Sequence, residues 1–169
     1  LSAYTDLGVR PRHPFRYLGK YYDPTYLTAW LDGIEWAGES LGAADIDNKI
    51  MNIGCQLQYQ REAWADGDAA EAVEYLKGYL REKINRATGM WGRFNTADPQ
   101  QRSRMVQFAY HLFPLYFYDG DFDFDHALIV PHVLNTQNQH GGYGVQINSS
   151  ACEDIDSIDL LIRFAPYVT

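Results

Sequence analysis

The chain has 169 residues, of which 46% are hydrophobic and 21% charged, a composition that excludes a disordered or fibrous protein and fits one globular domain over residues 1–169. Lys plus Arg number 14 against 22 Asp plus Glu, a formal charge of -8; with no basic cluster expected anywhere along the chain, nucleic acid and anionic membrane surfaces are not expected partners. The longest apolar runs, such as 127–131, fall far short of the roughly 20 residues of a membrane span, residues 1–20 lack a signal-peptide pattern, and Cys55 and Cys152 suit the reduced thiols of a cytoplasmic protein.

Asp23 and Pro24 predict a helix start, with Leu27, Trp30, Leu31 and Ile34 on one face. A second helix is expected from about Ile46 to Trp64, with Ile46, Ile50, Ile53 and Leu57 as its stripe, and a third from about Asp68 carrying Val73, Leu76, Leu80 and Ile84. Acidic residues early in the third, with Arg81 and Lys83 late, suit the helix dipole. Gly89, Gly92, Asn95, Asp98 and Pro99 then break the chain. A fourth helix from about Gln101 to Tyr118 buries Met105, Phe108, Ala109, Leu112 and Leu115, with a kink expected at Pro114. The fifth starts at Asp123 or Asp125 and runs to about Asn138, with a second kink at Pro131; the sixth spans about Ala151 to Ala165 and stops before Pro166. No run alternates strictly, and β-rich stretches such as Tyr143–Ile147 are short. The expected fold is all-α, six helices joined by glycine-containing loops.

An internal repeat bears on how those helices are arranged. Asn85-Arg86-Ala87-Thr88-Gly89-Met90-Trp91 aligns with Gln137-Asn138-Gln139-His140-Gly141-Gly142-Tyr143, both reading amide, three residues, Gly, one residue, aromatic. Each copy follows a predicted helix. The amides Asn85 and Gln137 can bond carbonyls at a helix end, Gly89 and Gly141 can take the left-handed position that ends it, and Trp91 and Tyr143 can cover the junction.

Gln, three residues, Gly, one residue, Trp, once per helical hairpin, resembles the QW repeat of squalene and hopene cyclases, with Asn85 and Tyr143 as departures. The segment 141–144 also resembles the Gly-Gly-Phe segments of protein prenyltransferase β subunits. Over residues 80–165 the resemblance implies helical hairpins forming part of an (α/α)6 toroid. Six helices are three hairpins, half of that ring, so self-association or a missing remainder of the chain is expected; a chain opening on Leu1 without Met is compatible with a fragment.

The acidic run Glu153-Asp154-Ile155-Asp156-Ser157-Ile158-Asp159 resembles the Asp-x-Asp-Asp motif of class II terpene cyclases, with Ser157 in place of its last Asp. The resemblance implies acid catalysis on an isoprenoid or other small hydrophobic ligand by Asp154, Asp156 and Asp159. Read without it, Ser150 to Glu153 fits a capping box, Asp154 and Asp156 suit the helix dipole, Asp159 and Arg163 form an i, i+4 pair, and Ile155, Ile158 and Ile162 form the buried face.

Asp119, Asp121 and Asp123, followed by Asp125, suggest a divalent cation site or a cap for the fifth helix; the run lacks the glycine and glutamate of an EF-hand loop. Prenyltransferases use Asp, Cys and His on zinc, which would draw in Cys152, Asp154 and one of His126, His132 or His140, although the Cys-x-Asp order departs from that family's Asp-x-Cys. The remaining alternatives are a non-catalytic helical binding or assembly module, and a carbohydrate-active toroid using Glu35 beside Trp36 or Asp119 beside Tyr118.

Overall fold

A computed structural model describes residues 6–36, 45–145 and 151–168. The protein is all-α, with one two-stranded ribbon among the described residues. Among the described residues the α-helices are α1 (Pro24–Asp32), α2 (Ile46–Trp64), α3 (Gly67–Glu82), α4 (Pro99–Phe117), α5 (His126–Leu134) and α6 (Ala151–Phe164), with short 3-10 turns at Arg16–Tyr21 and Ala165–Tyr167. Strands β1 (Ile84–Asn85) and β2 (Met90–Trp91) form the ribbon. No described helix is long and apolar enough to cross a membrane.

The contacts divide the chain into two compact units. The first holds residues 1–34 and 48–82, and the second holds 35–47 and 83–169, so α2 begins with Ile46 and Asp47 in the second unit and continues in the first.

In the first unit Asp23 accepts from Thr25 N at 2.8 Å and Pro24 opens α1 without an amide to satisfy. Leu27 and Leu31 of α1, Leu57 of α2 and Val73, Leu76 and Leu80 of α3 are buried, as the helical period requires. The junction from α2 to α3 is tied by Asp66, whose carboxylate accepts from Ala69 N (3.1 Å), Tyr22 Oη (2.9 Å) and Gln60 Nε2 (3.2 Å). Burial first, then the bond to Asp66, pushes the Tyr22 phenol up to about 12.

In the second unit α4, α5 and α6 pack on one another and β2 lies on α4. Asp98 caps α4 by accepting from Gln100 N and Gln101 N, and Asp125 caps α5 through Leu128 N. Phe113 of α4 is the hub of an aromatic core, 5.0 Å from Trp91, 4.8 Å from Phe124 and 5.3 Å from Phe164 between ring centroids. Each fully buried ring contributes about 1.5–3 kcal/mol through lost apolar exposure alone. Pro114 and Pro131 lie inside α4 and α5, which continue beyond them.

Both repeat copies fold into tight hairpin turns rather than helix caps. Ile84 pairs with Trp91 and Asn85 with Met90 in the first; Gln137 bridges Tyr143 in the second. The amides bond within the turns, Asn85 Nδ2 to Gly92 O at 3.0 Å and Gln137 Nε2 to Gly141 O at 2.9 Å, so they do not reach helix-end carbonyls. Gly89 (φ +71°) and Gly141 (φ +91°) take the left-handed conformation expected of them, and so do Gly92 and Gly144 one turn on. Trp91 is fully buried. The α5 helix ends at Leu134, four residues short of the expected Asn138, because residues 136–144 go into the second turn.

Candidate functional site

Asp47 stands in the first turn of α2, where the helix dipole favours a carboxylate. It is fully buried. Its Oδ2 accepts from Arg104 at 2.9 Å and lies 2.9 Å from His111 Nδ1. Arg104 and His111 are seven residues apart on α4, two turns along one helix face, and each side chain keeps about a fifth of its surface exposed (24% and 21%). The Arg104 guanidinium also lies 5.8 Å over the Phe108 ring. Asp47 Oδ1 is buried without a hydrogen-bond partner among the described residues.

Burial works to raise the Asp47 carboxyl, but the hydrogen bonds from His111 and Arg104 and their charges outweigh it, so its pKa lies below the ordinary value. Asp47 therefore stays ionised. With its Nδ1 held by a carboxylate, His111 presents Nε2 as the nitrogen not engaged by Asp47, the arrangement by which a carboxylate orients a catalytic imidazole.

Asp156 on α6 is 5% exposed and responds to the same charges. Burial, opposed by His111 and Arg104 and reinforced by Glu153 and Asp47, pushes its carboxyl up to about 6. Glu153, one turn earlier, accepts from Ser103 of α4 at 3.2 Å. Burial, then the negative charges of Asp159 and Asp156, also raises the Tyr110 phenol. Asp47 is thus in direct contact with Arg104 and His111 of α4, and the buried Asp156 on the inner face of α6 feels the charges of all three.

The other residues of the acidic run have separate roles. Asp154 Oδ1 accepts from Tyr143 N at 2.7 Å and fastens the second hairpin turn to α6. Asp159 pairs with Arg163 at 2.7 Å on the surface. The capping-box Ser150 lies outside the described residues. The buried face of α6 is not the isoleucine stripe: Ile155, Ile158 and Ile162 are 57%, 45% and 66% exposed, and Asp156, Ser157, Leu160 and Phe164 face inward instead. Phe164 wins because the aromatic core around Phe113 offers a ring-sized slot.

Among the described residues no group of three or more His, Cys, Asp or Glu side chains could hold a metal ion. Asp119 lies in the turn after α4, Asp121 accepts from Asp123 N at 3.2 Å within its own loop, and Asp125 serves as the α5 cap. Cys152 is exposed, His126 bonds Phe122 O, and His140 bonds Gln139. Glu35 is exposed and Trp36 packs edge-on against Phe108 at 6.3 Å.

No family model, curated protein or solved structure matches this chain.

Sequence reasoning missed Asp47, Arg104 and His111. The i, i+7 spacing of Arg104 and His111 was a usable signal. Asp47 carried none beyond a helix-start preference, since its partners lie more than 50 residues away.

Proposed function

We propose that the second unit carries an acid–base site that moves protons on a small polar substrate. In this reading His111 is the base, Asp47 orients it, Asp156 is the carboxylic acid, and Arg104 stands opposite developing negative charge. The carrying observation is the buried Asp47 held at 2.9 Å by both His111 and Arg104; the same charges act on Asp156, and burial drives the two carboxyls apart, Asp47 lowered and Asp156 raised to about 6. Environments that drive neighbouring carboxyls apart divide acid from base roles.

Isoprenoid or lipid handling, implied by the toroid resemblance, is a rival to this proposal and would use Asp156 alone of the three aspartates. A carboxyl with a pKa of about 6 is a weak acid for an alkene and well matched to a heteroatom near neutral pH, which favours the polar substrate.

Turnover of p-nitrophenyl acetate, phosphate and glycosides, measured from pH 4 to 9, tests the reading. His111→Asn and Asp156→Asn are each expected to lower kcat/KM of any active substrate about 100-fold. Asp159→Asn, which breaks the Arg163 surface pair and makes no contact with Asp47 or His111, is expected to leave it unchanged. Turnover insensitive to His111→Asn, or carboxyl NMR placing Asp156 in the ordinary aspartate range, would refute it.

A second reading, a non-catalytic assembly module, is favoured by the exposed stripe Ile155, Ile158 and Ile162. It expects a dimer in light scattering that Ile158→Glu converts to a monomer. A wild-type monomer at 100 μM, roughly the upper range of a weak contact, would sink it.

A further inference from the structure

The first unit carries a feature of opposite charge to the rest of the chain. Residues 7–22 hold Arg10, Arg12, Arg16 and Lys20 and no carboxylate, in a protein of formal charge -8. The expectation that no basic cluster exists is corrected here: the four cations are spaced by prolines, aromatics and glycine, so they form no run, yet they share one segment. Around its middle, His13, Pro14, Phe15, Arg16 and Tyr17 line an open pocket of about 470 Å³. That size suits a small organic molecule.

The pocket segment is fixed from beneath. Phe15 N donates to Gln60 Oε1 at 3.0 Å, and Gln60 is itself buried and bonded to Asp66. The Phe15 ring lies 5.9 Å from Tyr59 and 6.1 Å from Trp64, and Leu18 is fully buried. Above that base the polar groups face outward. Arg12, His13 and Arg16 are exposed, and no carboxylate among the described residues pairs with them. Tyr17, its ring 6.1 Å from Phe15, is 56% exposed. Flat apolar rings beside uncompensated guanidinium groups match a ligand with a planar ring and a negative charge.

We infer that the pocket at His13–Tyr17 binds a small organic anion carrying a planar ring, with Arg16 contacting the charge and Tyr17 the ring. The site is independent of the acid–base cluster and stands whether or not that cluster turns over a substrate.

Phenyl phosphate titrated into 15N-labelled protein, followed by amide shifts, is the test, with inorganic phosphate and phenol titrated in parallel. Saturable shifts at Phe15, Arg16 and Tyr17 are expected, at least about tenfold tighter for phenyl phosphate than for either half alone. Arg16→Gln is expected to weaken binding about tenfold and Tyr17→Ala about fivefold. Lys20→Gln removes the same charge outside the pocket lining, and little change is expected. The inference is overturned if these amides do not shift, if inorganic phosphate binds as tightly as phenyl phosphate, or if Lys20→Gln weakens binding as much as Arg16→Gln. Unchanged amide spectra elsewhere in the variants establish that each one folds.

Discussion

Replacing Asp156 with Asn tests the cluster through stability, without need of a substrate. Unfolded, this aspartate ionises near 3.8; folded, it holds its proton up to about 6. Between those values the native state binds more protons than the unfolded state, so stability falls as pH rises. The contribution is intact below about pH 4 and fully lost above about pH 7. A shift of about two units corresponds to about 3 kcal/mol, which partial screening through the exposed edges of His111 and Arg104 reduces to about 2 kcal/mol. Asn keeps the shape and never ionises. The two proteins are therefore expected to have equal stability at pH 4, and Asp156→Asn to be more stable by about 2 kcal/mol at pH 8. Urea unfolding followed by fluorescence at one-unit pH steps measures the difference, and Trp91, buried beside Phe113, reports on the second unit. A pH-independent difference, or an Asn variant less stable at pH 8, would refute the assignment of Asp156 as a buried acid.

Two other substitutions probe the frame around it. Asp47→Asn strips the carboxylate from Arg104 and His111 and is expected to cost about 2–3 kcal/mol, toward the low end for a buried ion pair because both partners reach solvent; a melting temperature within 1 °C of wild type, roughly the error of a thermal melt, would contradict this. Gly89→Ala must adopt φ near +71° and bring Cβ to 2.9 Å from Ile129 Cγ1, whereas Gly141→Ala at φ +91° meets no atom within 4 Å. The first is expected to cost about 3 kcal/mol and the second about 1 to 2, from backbone strain alone; equal losses in chemical unfolding would mean that the Ile129 contact relaxes freely.

The helices were legible because their apolar positions repeat with the helical period and the first carries Asp23-Pro24 at its start; all six are present, with α5 four residues short of its expected end and Ile84 in β1 rather than in α3, while Asp98-Pro99, expected to break the chain, caps and opens α4. The hairpin turns were not, since strands of two residues have no alternation to detect; the glycines were found and assigned to the wrong motif. On α6 the period itself was ambiguous. Ile155, Ile158 and Ile162 make one apolar stripe and Leu160 with Phe164 another, and nothing within fourteen residues says which is buried. That choice decides the chemistry. Had the isoleucines turned inward, Asp156 would face water with an ordinary acidity and Asp159 would flank the core. The slot beside Phe113 takes Phe164 instead, and Asp156, two turns earlier on the same face, is carried into the interior, where the charges of His111 and Asp47 act on it. The acid is thus made by a packing preference at the far end of its helix, and the same preference leaves the isoleucine stripe exposed.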